Sequence, residues 1–105
     1  MDTEKPRQPD ECSDMSEIRA EIDALDTQVV ALLGRRYEYV QAAARFKKDE
    51  EAVRAPERFK QVLEQRRQWA TEVGLSADAV EKLYRDLVLH FIEEEKRAWQ
   101  GARDA

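Results

Sequence analysis

Two cations, Arg36 and Lys47, lie where a long amphipathic helix normally keeps aliphatic residues. If successive residues advance by about 100°, both positions fall within about 40° of a line that starts at Ile18 and passes near Leu25 and Val29. Burying an unpaired cation costs several kcal/mol, so each one needs either an anionic partner or a route to water. The spacing therefore places positive charge on a packing face.

These cations have two interpretations. In the first, the side chains are structural, because long Arg and Lys side chains often reach solvent along an apolar surface or pair with buried Asp or Glu. Arg66, on the next predicted helix, is interpreted as a member of such an ion pair. Alternatively, Arg36 and Lys47 bind a small dicarboxylate, because a guanidinium matches a carboxylate and an ammonium is a point charge for an ether or hydroxyl oxygen. They lie eleven residues apart, about 16 Å along one helix, so extended side chains can bracket a six-membered ring.

Other candidate groups are few. Glu94 and Glu95 flank the apolar stripe of the third predicted helix, so either carboxylate can face the core, although a run of three Glu is usually solvated. His90 lies off the stripe, and Cys12 lies outside the predicted helices. With one His and one Cys, we expect neither a metal site nor a cofactor.

Composition indicates an all-α protein. The chain has 105 residues, of which 42% are hydrophobic and 39% charged, with only 3 Gly and 3 Pro. This mixture favours long amphipathic helices over a β-sandwich. A net charge of −5 argues against a nucleic-acid partner or an anionic membrane surface. No apolar run approaches the ~20 residues of a membrane span, and we expect a cytoplasmic protein.

Local signals predict three helices. The first should begin near Ser16, which can cap its free amides, and end near Lys47 to Asp49. Pro56 suits the first position of a second helix, and Gly74 suits the position just after its end. Ser76 can cap the third helix.

The domain boundaries follow from these helices. We expect a flexible arm over 1–14, one helical domain over 15–100 and a tail over 101–105. A first helix of about 48 Å is longer than a domain of this size is wide, so one chain cannot cover its stripe and an intertwined homodimer is predicted. Arg19 and Arg36, roughly 25 Å apart on this helix, can share a pocket only if Arg19 comes from the partner subunit.

Three stretches carry a resemblance to a known family: SEIRAEIDALDTQVVALLGRRYEYVQAAARFK, APER and the helix that ends in IEEEKRAWQ. Together they resemble the all-α chorismate mutase family, most closely its isochorismate pyruvate lyase branch, which makes salicylate for siderophores. The likeness extends over about residues 10–100. It implies an intertwined homodimer of three-helix chains with two equivalent sites.

The resemblance also implies site residues. Arg19 of the partner subunit and Arg36 resemble the arginines that bind the two substrate carboxylates. Lys47 resembles the lysine at the ether oxygen where the C–O bond breaks, and Arg58, in APER, resembles a further arginine near the substrate. Glu95 occupies a position at which the lyase branch has Gln and some mutases have Glu.

Departures from the family pattern bear on the reaction. Chorismate mutases commonly carry acids that bind the ring hydroxyl at the positions of Ala55 and Phe59, and their absence favours the lyase. A Glu95 carboxylate would repel an anionic substrate, so it must be protonated or turned away. The connection from Lys48 to Ala55 resembles a mobile loop that closes over ligand. The alternatives are a chorismate mutase with protonated Glu95 as donor, and a non-catalytic helical dimerisation module.

Overall fold

A computed structural model describes residues 6–47, 49, 52 and 54–104, with backbone only at 99 and 102–104. Three α-helices dominate these residues, and no β-strand occurs among them, which confirms the all-α prediction. Two short 3-10 turns precede and follow the first helix. The helices are α1 (Met15–Ala43), α2 (Pro56–Glu72) and α3 (Ala77–Asp104), and the turns are Pro9–Glu11 and Ala44–Phe46.

The chain forms two compact units, Met1–Arg36 and Tyr37–Ala105. The first contains most of α1, including Arg19. The second contains the end of α1 together with α2 and α3, and it holds Lys47, Arg58 and Glu95. None of the helices within the described residues combines the length and apolarity needed to cross a membrane.

The start of α1 is fixed by a reciprocal cap. Asp14 Oδ1 accepts the Glu17 backbone N–H at 2.9 Å, and Glu17 Oε1 accepts from the Ser13 N–H and hydroxyl at 2.8 and 3.0 Å. The two bonds from Ser13 hold the pKa of the Glu17 carboxyl below its ordinary value. The prediction of Ser16 as the cap is therefore wrong. Asp14 is the capping residue, because its carboxylate accepts a hydrogen bond from a free amide of the first turn.

The end of α1 tightens before Lys47. The α-helix stops at Ala43, a 3-10 turn follows over Ala44–Phe46, and Lys47 is extended with φ −92° and ψ 131°. The Lys47 N–H donates to Ala44 O at 3.2 Å. The expected continuation of the α-helix to residues 47–49 is wrong, since the last turn is 3-10. Positions 48, 50, 51 and 53 of the expected mobile loop lie outside the described residues.

Helix α2 begins and ends where its sequence signals predicted. Pro56 is its first residue, and it follows Ala55, which has a left-handed φ of 41°. Gly74 follows the helix with a φ of 82°, and the Leu75 N–H donates to Ala70 O at 2.8 Å, as in a Schellman motif. Glycine suits this position because a Cβ would strain a left-handed backbone.

Helix α3 starts at the predicted cap and runs past its predicted end. The Ala79 N–H donates to Ser76 Oγ at 3.1 Å, which confirms Ser76 as the capping residue. The helix continues to Asp104, into the stretch 101–105 that the sequence assigns to a tail. Helix α3 packs against α2, whose Val62, Leu63 and Ala70 are buried.

An ion-pair cluster joins α2 to α3 beside the turn that connects them. Arg67 Nη1 donates to Asp78 Oδ1 at 2.8 Å and to Glu81 Oε1 at 2.7 Å. Arg85 Nη2 donates to the other Glu81 oxygen at 2.6 Å. The bonds from Arg85 and Arg67 lower the pKa of Glu81 from its ordinary value of 4.5. The charged form of Glu81 therefore favours the folded state.

We expect Glu81→Gln to lower the melting temperature near neutral pH and to have little effect in acid. Because the folded-state pKa of Glu81 is lowered, its contribution is present above pH 4.5 and is lost as pH falls through the lowered value. Thermal unfolding of both proteins across this range measures the effect. Glu64→Gln, which changes an exposed carboxylate on α2, is the control, and an equal acid-sensitive loss there would contradict the role of Glu81.

Candidate active site

The centre of the candidate site is an ion pair between Lys47 and Glu95. Lys47 Nζ lies 3.4 Å from Glu95 Oε2, and the two side chains are 24% and 6% exposed. The 3-10 turn after α1 presents the lysine, and the second half of α3 presents the glutamate. The sequence left open which carboxylate of the run faces the core, and the structure places Glu95 there.

Glu95 is the one buried charged residue among those described. None of the described residues donates a hydrogen bond to its Oε2, although this atom lies at ion-pair distance from the lysine. A buried carboxylate oxygen without a donor carries a large desolvation cost. This atom is therefore placed to accept a hydrogen bond from a further donor.

A second polar cluster surrounds the neighbouring carboxylate, Glu94. The Tyr37 hydroxyl donates to Glu94 Oε2 at 3.2 Å, and His90 Nε2 lies 2.7 Å from Glu94 Oε1. The Tyr37 ring stacks on Phe91 with centroids 4.9 Å apart. Burial, and then the charge of Glu94, raise the pKa of Tyr37.

Sequence reasoning missed the Tyr37 contacts. The only signal was a tyrosine directly after Arg36, at the edge of the apolar stripe, where such a side chain commonly buries its ring and finds an acceptor for its hydroxyl. Nothing in the local sequence indicates that the acceptor comes from α3.

The predicted arginines have different environments. In the first unit, Arg36 is half-buried on α1 and Arg19 is exposed. In the second unit, Arg58 is exposed, and its Nη1 donates to Gln61 Oε1 at 3.0 Å. The structure thus brings Lys47 together with Glu95 and presents Arg58 to solvent on α2.

Arg66, which the sequence assigned to an ion pair, contacts aromatic rings. Its guanidinium carbon lies 4.6 Å from the Trp69 ring centroid and 5.5 Å from that of Tyr84. Its Nη1 donates to Gln65 Oε1 at 3.0 Å. These cation–π contacts explain how an arginine is accommodated next to the buried face of α2.

Comparison with known proteins identifies the family. Residues 18–96 match the family described as chorismate mutase type II. The chain belongs to this family. It is 42% identical over 97 residues to an isochorismate pyruvate lyase of Pseudomonas aeruginosa, covering 92% of this chain and 96% of that protein. It is also 35% identical over 72 residues to the T-protein of Haemophilus influenzae, covering 68% of this chain and 19% of that protein.

In this chorismate mutase type II chain, an anionic ligand at Lys47 would have to displace the ion-pair partner that the chain itself supplies, Glu95. Lys47 is the cation at the centre, and Glu95 is its ion-pair partner in the structure. A ligand oxygen that binds Lys47 must either replace Glu95 or be joined by a protonated Glu95 that donates to it. Among the described residues, no three His, Cys, Asp or Glu side chains are grouped in a way that suits a metal ion.

Proposed function

We propose that this chain is an isochorismate pyruvate lyase, which converts isochorismate to salicylate and pyruvate. The observation that carries the proposal is the similarity to a protein of that name over almost the full length of both chains. The half-buried lysine and its adjacent carboxylic acid suit a substrate whose scissile ether oxygen gains negative charge. Salicylate then connects the enzyme to siderophore synthesis.

The proposed reaction is one concerted elimination. The ether C–O bond breaks while a ring hydrogen passes to the methylene carbon of the enolpyruvyl group, so pyruvate leaves and the ring becomes aromatic. Such a step gains from a fixed substrate conformer and from positive charge at the ether oxygen, and it needs neither a base nor a nucleophile from the protein. Arg36 and Arg19 of the partner subunit bind the two carboxylates, Lys47 binds the ether oxygen, and Arg58 adds positive charge nearby.

Glu95 acts in this proposal as a neutral acid. As a carboxylate it would repel the incoming dianion and compete with it for Lys47. The negative charge of the substrate favours the protonated form, which can donate a hydrogen bond beside the lysine.

We also propose that the active form is a homodimer. Large apolar side chains along α1 are exposed in the single chain, including Val29, which is 51% exposed. A contiguous apolar face of this kind marks an interface in a protein that is stable in water. A second copy of α1 is the occupant with a matching apolar stripe, and it would bring its Arg19 to the site. The exposed residues of this face are Met15, Ile22, Leu25, Val29 and Leu32.

We expect Val29→Asp to dissociate the dimer and to abolish activity in the same protein. A carboxylate in the middle of the apolar face opposes its burial, and a monomer lacks the Arg19 of the partner subunit. Sedimentation equilibrium together with lyase assays at several protein concentrations measures both effects. Thr27→Asp, on the opposite side of the same helix, is the control, and an active monomer of the Val29 variant would contradict the shared site.

A second candidate function is that of chorismate mutase, which rearranges chorismate to prephenate. The carboxylic acid at position 95 favours it, because a protonated glutamic acid can donate to the ether oxygen of either substrate. A non-catalytic dimerisation module is the third candidate. It is favoured by the fact that Lys47 is already paired within one chain.

One experiment separates the three functions. The purified protein is supplied with isochorismate and chorismate separately, and salicylate, pyruvate and prephenate are measured. Salicylate and pyruvate in equal amounts from isochorismate, with only weak formation of prephenate, support the lyase. Efficient prephenate formation supports the mutase. The absence of product from both substrates supports the dimerisation module.

A further inference from the structure

Tyr37 and Glu94 form a cluster next to the proposed site that the proposed reaction does not use. Glu94 and Glu95 are consecutive on α3, and Glu95 Oε2 is already 3.4 Å from Lys47. A second carboxylate therefore lies next in the chain to the one that pairs with the lysine proposed to receive a dianionic substrate. If Glu94 turned toward Lys47, it would compete with the substrate for the ammonium group.

Each carboxylate oxygen of Glu94 has a partner other than Lys47. Oε2 accepts the Tyr37 hydroxyl from α1, and Oε1 lies beside His90 one helical turn away. Tyr37 is in turn fixed by its stack on Phe91. The side chain of Glu94 is 33% exposed and that of His90 is 65% exposed, so the hydroxyl is the more shielded of the two partners.

We propose that Tyr37 is a positioning residue that keeps the charge of Glu94 away from Lys47. The proposal rests on the proposed lyase function and extends it. Without the hydroxyl, Glu94 keeps only the solvent-exposed histidine and can turn toward the lysine. It then competes with the substrate carboxylate or ether oxygen for the same ammonium group. The effect is on binding of the anionic substrate more than on the chemical step.

The test is a double-mutant cycle of Tyr37→Phe and Glu94→Gln. Tyr37→Phe keeps the stacked ring and removes only the hydroxyl, so we expect a folded protein whose kcat/KM falls about tenfold, mainly through a higher KM. Glu94→Gln alone should stay near wild type. The double variant should regain wild-type kcat/KM, because a neutral amide does not compete for the lysine.

Two controls distinguish this role from a structural one. Tyr39→Phe removes a hydroxyl from an exposed tyrosine two residues away on the same helix and should change nothing. Added salt should restore part of the activity of Tyr37→Phe, since it screens a mobile charge. A double variant as impaired as Tyr37→Phe, a Glu94→Gln variant equally impaired, or a fully active Tyr37→Phe would each overturn the proposal.

A spectroscopic measurement does not depend on the reaction. The ultraviolet titration of Tyr37, obtained as the difference between wild type and Tyr37→Phe, should show a raised pKa that moves back toward the ordinary value in Glu94→Gln. An unchanged titration in Glu94→Gln would refute the contact between the two side chains and the proposal with it. If the wild-type protein forms no product from isochorismate, the lyase function is contradicted. The titration still reports the contact in that case, so the two failures are distinguishable.

Discussion

Lys47→Ala is expected to lower the kcat of the lyase roughly a thousandfold, which is the loss typical when one group that stabilises transition-state charge is removed. The ammonium group lies 3.4 Å from the buried carboxyl group of Glu95, in a place where few water molecules can replace it. The KM should change less, because in the proposed complex Arg36 and Arg19 of the partner subunit bind the substrate carboxylates. Steady-state kinetics with isochorismate, with salicylate followed by its fluorescence, measures this.

Removal of Lys47 also leaves the buried carboxylate of Glu95 without its cation, so lost activity and lost stability must be separated. Lys47→Ala combined with Glu95→Gln removes that charge and should recover the melting temperature without recovering kcat. Lys60→Ala, an exposed lysine on α2, is the matched control and should behave as wild type. Turnover near wild type in Lys47→Ala would remove Lys47 from the mechanism.

Glu95→Gln is expected to raise kcat/KM for isochorismate about tenfold, mainly through a lower KM. In the wild type, the carboxylate of Glu95 lies 3.4 Å from the Lys47 ammonium group and competes with the anionic substrate for it. An amide at this position can donate a hydrogen bond to the substrate and does not attract the lysine. Steady-state kinetics of both proteins with isochorismate, at one pH and one ionic strength, measures the effect.

Glu93→Gln is the control for this experiment, because Glu93 is exposed on the same helix and pairs with Lys96, one turn away, and not with Lys47. It should keep the kcat/KM of the wild type. An unchanged or lower kcat/KM in Glu95→Gln would show that the Glu95 carboxylate does not compete with the substrate for Lys47.

Several parts of the fold were predictable from the sequence because their signals are local. Pro56, Gly74 and Ser76 mark helix ends through the conformation of one residue or one capping bond, and the structure confirms all three. The errors are also local. Ser16 and Asp14 are both competent caps, and an α-helix and a 3-10 turn differ little in energy over the last residues of α1.

The sequence by itself determined which side chains share a helix face, since periodicity places a residue on a face, and Arg36 and Arg66 are half-buried as it indicated. It did not determine the place of Lys47, which lies beyond α1 in extended backbone. It did not determine which of two consecutive glutamates meets Lys47, because they point about 100° apart and the rotation of α3 against the rest of its unit depends on packing. Only the tertiary structure placed Glu95 at the lysine and Glu94 at Tyr37. Those contacts join residues far apart in the chain, and no local propensity encodes them.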